Sequence, residues 1–106
     1  MAEDMSKMLE RLQQLQEQMA RVQQDLSGQT VTSESGGGMV KVTVNGKQQI
    51  VKIEIDKEVI DPKDSEMLED LIVAAVNRAL ERSKELADTT MADAAKSFLP
   101  PGFPMS

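Results

Sequence analysis

The 106-residue sequence predicts an α+β domain that runs helix, three-stranded antiparallel meander, helix. Three observations predict it: a heptad of apolar residues over the first 26 positions, two alternating apolar runs on either side of Asn45-Gly46, and an apolar helical stripe after Asp61-Pro62. The expected boundaries are a helix over about 3–27, a sheet over about 29–56 and a second helix over about 64–96, forming one domain over 1–96 with a Pro-rich tail over 97–106.

Met5, Met8, Leu12, Leu15, Met19, Val22 and Leu26 recur at alternating steps of three and four, a period that no strand carries. Between them stand strong helix formers, including six Gln from Gln13 to Gln24, and neither Gly nor Pro interrupts the chain before Gly28, a candidate C-cap. A helix of about 24 residues spans about 36 Å. Its apolar seam is narrow and needs a partner helix.

Three runs rich in β-branched residues follow: Thr30-Val31-Thr32, 39–44 and 50–55. Val40, Val42 and Val44 alternate with Lys41 and Thr43, while Val51, Ile53 and Ile55 alternate with Lys52 and Glu54, as in a sheet with one covered face. Asn45-Gly46 predicts a two-residue hairpin turn with positive φ at both positions, which sets Val44 opposite Lys47 and Val40 opposite Val51. Gly36-Gly37-Gly38 leads into a strand and lacks the Gly-Lys-Ser/Thr ending of a phosphate-cradling loop, and Gly46-Lys47 fails the same motif because Gln48 follows. The triple glycine reads as the turn between the first two strands.

Asp64 or Ser65 is placed to cap the second helix, whose first turns hold Glu66, Glu69 and Asp70 near the positive end of the dipole. Leu68, Leu71, Ile72, Ala75, Val76, Ala79 and Leu80 form the face expected to cover the sheet. The pattern thins over Leu86, Ala87, Met91, Ala94 and Ala95, so the later turns are expected to project beyond the sheet. Leu99-Pro100-Pro101-Gly102-Phe103-Pro104 cannot be helix and reads as extended or disordered.

Composition narrows the function. The chain has no Cys, no His, no Trp and no Tyr, which removes disulfides, Cys-based zinc sites and imidazole chemistry. No active site is predicted: Ser33, Ser35 and Ser65 have no activating base, and the acidic residues fall in helical runs that serve capping and solubility. Asp56, Glu58 and Asp61 are possible cation ligands by type, but the calcium-loop pattern is missing, so no cofactor or metal is expected. The longest uninterrupted apolar run, Leu71 to Val76, is six residues, well short of the roughly 20 that cross a bilayer. With Glu3 and Asp4 at the start and no basic, then apolar, leader, a cytosolic location is expected, with neither membrane nor small-molecule substrate as a partner.

A three-stranded sheet with one helix layer leaves edges and apolar stripes open, and a two-fold dimer closes them. An obligate homodimer is therefore expected; the competing arrangement folds the first helix back along the second within one chain. Lys7, Arg11, Gln14, Gln18 and Arg21 line up beside the apolar seam as a basic and amide stripe, with Glu10 and Glu17 on the neighbouring line. Such donors contact phosphates and base edges, although a charged flank beside a heptad also serves simply as a solvated face. Arg78, Arg82 and Lys84 form a second basic group, interleaved with Glu81 and Glu85, for which ion pairing within the helix competes with DNA contact. The formal net charge of −6 is spread unevenly, and residues 29–57 are the least acidic part. Duplex DNA binding by such a chain is expected to be salt-sensitive.

The segments 34–46 (ESGGGMVKVTVNG), 53–56 (IEID), 67–77 (MLEDLIVAAVN) and 99–103 (LPPGF) resemble, in order and spacing, the YbaB/EbfC family of small bacterial nucleoid-associated proteins. The resemblance covers nearly the whole length. It implies a tweezers-like homodimer with a shared β core and projecting helical arms, which binds duplex DNA and acts in nucleoid organisation or regulation. The matching blocks lie mainly in the sheet and second helix, so they bear on fold more than on DNA contact. By position on the arm, Lys7, Arg11 and Arg21 come first as DNA contacts, with Arg78, Arg82 and Lys84 second. The alternative is a protein-interaction adaptor that uses the heptad helix and Pro-rich tail, with DNA association incidental.

Overall fold

The computed structural model describes residues 2–96, with side chains from Asp4 onward. Helix α1 (Ala2–Gly28) leads to strand β1 (Thr30–Ser35), a 3₁₀ turn (Gly36–Gly38), β2 (Val40–Asn45), β3 (Ile50–Ile55), a second 3₁₀ turn (Lys57–Val59) and helix α2 (Ser65–Lys96). The strands form one antiparallel sheet in the order β1-β2-β3. The expected α+β order of helix, three-stranded antiparallel meander and helix is observed; the Pro-rich ending lies outside the described residues.

The core forms where α2 crosses β1 and β2. Val40, Val42 and Val44 point to one face of β2 and are fully buried against Ala75, Ala79 and Ser83, which are also fully buried. Those three α2 residues are spaced by four, so they make a stripe of small side chains that lets the helix backbone settle onto the valine row. Serines complete the close approach: Ser35 Oγ donates to Leu71 O at 2.6 Å, and Ser83 Oγ donates to Asn45 O at 2.6 Å. Val31, Leu68, Leu71, Ile72, Val76 and Leu80 surround this centre, and Val59 joins it from the second 3₁₀ turn. That turn is capped by Asp56, whose Oδ1 accepts the Glu58 N–H at 2.9 Å. Asp64 caps α2, its Oδ1 accepting the Met67 N–H at 3.3 Å.

The β2–β3 hairpin departs from the expected register. Val40 pairs with Ile55, Val42 with Ile53 and Val44 with Ile50, and the shift at Thr43/Val44 leaves Val51 as a bulge. The loop has three residues, because the positive φ falls on Gln48 (61°) and on neither Asn45 nor Gly46. Asn45 instead holds the turn through its side chain: Oδ1 accepts the N–H groups of Lys47 and Gln49, each at 3.0 Å, and Nδ2 donates to Gln49 Oε1 at 2.8 Å. Gly46 is needed for proximity. Its N–H donates to Leu26 O at 2.8 Å and Gln29 O at 2.9 Å, and a Cβ there would stand 2.8 Å from Leu26 O and 2.7 Å from Leu26 Cδ2.

That contact fixes the base of α1. Val22 and Leu26 are buried, yet exposure climbs along the seam toward the tip, from 39% at Leu15 through 53% at Leu12 to 69% at Met5. The helix thus projects from the body, giving an outline of 74 × 25 × 17 Å. It does not lie folded along α2 over its length, so the competing single-chain packing of the heptad is not adopted. A second apolar surface lies on β3, where Ile50, Val51 and Ile53 are exposed beyond the reach of α2.

The opposite face of the sheet is polar. Thr32 and Thr43 hydroxyls meet at 2.9 Å, Glu34 and Glu54 flank Lys41 in register, and Lys52 Nζ lies 2.7 Å from Glu54 Oε1. The Lys52 hydrogen bond and charge, opposed by desolvation and aided least by Lys41, hold the Glu54 carboxyl below its ordinary range. The pair's contribution to stability is therefore present above the ordinary carboxylate pKa and is lost as pH falls through the lowered one.

Two outcomes are expected. Gly46→Ala lowers stability by about 1–3 kcal/mol, because the added methyl overlaps Leu26; urea unfolding at fixed protomer concentration reads this as a lower midpoint, and an unchanged midpoint contradicts the close approach. In an NMR pH titration, Glu54 titrates lower than in the Lys52→Gln variant; equal midpoints contradict the pairing.

Candidate nucleic-acid interface

Lys7, Arg11, Gln14 and Arg21 are exposed along α1, and Gln18 is half-buried. Their steps of four and three place them on one side of the arm, as the sequence spacing predicts. Two shallow recesses divide the stripe. Toward the tip, Lys7 and Arg11 share a recess with Asp4 and Met8; nearer the base, Gln14, Gln18 and Arg21 share one with Glu17. Arg11 also borders the apolar seam, lining a hollow with Met8, Leu12 and Leu15. The arm therefore presents separated cationic points with amides between them and a carboxylate within each recess. Lys7, Arg11 and Arg21 form no ion pair with any described side chain. Their charge remains available to a polyanion.

Three cationic residues of α2 divide into two situations. Lys84 is exposed and is without an ion pair among the described residues. Arg78 and Arg82 turn to the sheet: Arg78 Nη1 donates to Glu34 O at 3.0 Å, and Arg82 Nη1 donates to Thr32 O and, at 3.5 Å, to Ser33 Oγ. The expected ion pairing with Glu81 and Glu85 within the helix is replaced by these bonds across to β1. No sequence spacing within α2 signals that choice, because the acceptors are main-chain atoms more than forty residues away.

Two of the cation ligands considered from sequence hold local turns. Asp56 Oδ1 accepts the Glu58 N–H, and Asp61 Oδ1 accepts the Lys63 N–H at 2.9 Å. Among the described residues no three acidic side chains converge as a metal site, and no helix is long and apolar enough to cross a membrane.

Known proteins place this architecture. The family model of the YbaB/EbfC DNA-binding family matches residues 1–98. A nucleoid-associated protein of Moorella thermoacetica is 48% identical over 100 residues, covering 94% of this chain and 96% of its own length. A nucleoid-associated protein of Pelotomaculum thermopropionicum is 44% identical over 102 residues, covering 96% and 97%. The fold recurs in the crystal structure of an uncharacterised Helicobacter pylori protein, with a TM-score of 0.76 at 23% identity over 85% of this chain and 95% of that one. By the family match over residues 1–98 and these near-complete relatives, the chain belongs to the YbaB/EbfC DNA-binding family.

Proposed function

We propose that this protein is a homodimeric nucleoid-associated protein that binds duplex DNA with its projecting helices and acts, in the bacterial cytoplasm, in nucleoid organisation or regulation of expression. The observation that carries the reading is the projecting α1, whose unburied outer half displays Lys7 and Arg11 beside an exposed apolar seam and whose stripe continues to exposed Arg21 nearer the base. Family membership supplies the ligand class, and the relatives' names supply the cellular setting.

Dimerisation is supported by the two apolar surfaces that one chain leaves in water: the seam from Met5 to Leu15 and the Ile50, Val51 and Ile53 side chains of β3. A second copy related by a two-fold axis covers both without another partner. Lys7, Arg11 and Arg21 then act as phosphate contacts, with Gln14 and Gln18 between them and Lys84 as an auxiliary cation; Arg78 and Arg82 are held on β1 and contribute less. Phosphate contacts position a protein on DNA without reading sequence, so affinity depends on salt more than on base order. The adaptor reading rests on the same seam occupied by a different protein.

Two measurements test the proposal. Binding to a random duplex, followed by fluorescence anisotropy across a salt series, weakens steeply from low to physiological salt. The triple variant Lys7→Ala, Arg11→Ala, Arg21→Ala binds more weakly, with a log–log salt slope shallower by about 2–3. Identical affinity and slope would remove the arm from the interface. Sedimentation at micromolar concentration gives twice the 11.7 kDa chain mass, and Ile53→Lys shifts it toward monomer. A monomeric wild type refutes the dimer.

A further inference from the structure

Strand β1 is an edge strand, with β2 on one side and the bonds from Arg78 and Arg82 on the other. Thr32 and Glu34 stand two residues apart, so their carbonyls point the same way. Both accept from guanidinium groups while the opposite side of the strand is paired with β2, which makes them outward carbonyls of the edge. An additional strand needs those same acceptors. The geometry suits the arginines well: four residues of helix and two of strand each advance about 6 Å. An i, i+4 pair on α2 thereby matches an i, i+2 pair of carbonyls on β1.

The shielded strand is suited to pairing with itself. Its sequence, Thr-Val-Thr-Ser-Glu-Ser, has no Pro, no Lys or Arg and only one charged residue, so it lacks the usual deterrents of an exposed edge. Setting Thr32 opposite Thr32 of a second copy across a two-fold axis puts Thr30 opposite Glu34 and Val31 opposite Ser33. No like charges meet in that register, and the outward groups of residues 30, 32 and 34 all find partners.

We propose that Arg78 and Arg82 guard a latent docking edge, and that with their guanidinium groups withdrawn β1 pairs antiparallel with β1 of a second copy of this chain. The surface lies on the opposite side of the sheet from β3, so it adds a second self-association site to any dimer formed through the β3 side. DNA binding is not needed for it.

The test compares the molecular mass of the full chain with that of Arg78→Gln/Arg82→Gln by light scattering at equal concentrations without DNA. The substitutions keep most of the side-chain stem and make a chain of net charge −6 more acidic, so simple electrostatics opposes association. The double variant is expected to have at least twice the wild-type mass, whether the wild type is a monomer or a dimer. Adding Thr32→Pro, which removes an outward N–H from the edge, returns the mass to the wild-type value. A double variant with wild-type mass and intact helical circular dichroism overturns the proposal. So does association that survives Thr32→Pro. If the double variant loses its helical signal, Arg82→Gln alone is read by the same two outcomes.

Discussion

The contact between the last turn of α1 and Gly46 is the constraint on which the rest of the molecule depends. One main-chain N–H reaches two carbonyls, Leu26 O and Gln29 O, and only a residue without Cβ permits that distance. The next carbonyl back, Asn45 O, accepts from the buried Ser83 hydroxyl of α2 and from the Gln48 N–H. One hairpin therefore ties the base of the arm to the sheet and the sheet to the second helix. Buried polar groups linked this way are costly to separate, because each lost bond leaves a desolvated partner.

From that anchor the two helices part in character. α2 buries a stripe of small side chains on the valine row of β2, a geometry that favours close backbone approach over side-chain bulk. α1 has large apolar residues on its seam, and beyond the base none of the described residues of the chain covers them. With 8 Met and only two aromatic residues in the chain, adaptable side chains supply much of that uncovered surface. Water contact along such a stripe is a standing driving force for association. The basic and amide groups beside it ride on the same rod, so the proposed DNA contact and the packing requirement fall on one element.

Much of this was legible in the sequence because it rests on periodicity. The heptad specified α1, the valine alternation specified β2, and Ala75 and Ala79 fell on the predicted buried face of α2. The hairpin register was not legible. Asn45-Gly46 carries the signature of a two-residue turn, but here Asn45 serves as a side-chain acceptor and Gly46 as a clearance for Leu26, and neither role leaves a local trace. Ser33 and Ser35 are both buried beneath the helix that lies over them, and nothing in their residue type signals it. At the candidate interface, spacing aligned Lys7, Arg11, Gln14, Gln18 and Arg21 along α1. It could not foresee that Arg78 and Arg82 bond to a distant strand edge, since such acceptors belong to the backbone and have no residue code.

The central claim is that α1 is a rigid rod held out from the body and matched with a second rod. The chain has no cysteine, so a spin label at Gln14→Cys reports on one position only. Double electron–electron resonance on the labelled protein is predicted to give a single narrow inter-spin distance between two arms of one assembly. Absence of any dipolar modulation at micromolar protein, or a broad featureless distribution, would contradict a pair of fixed arms.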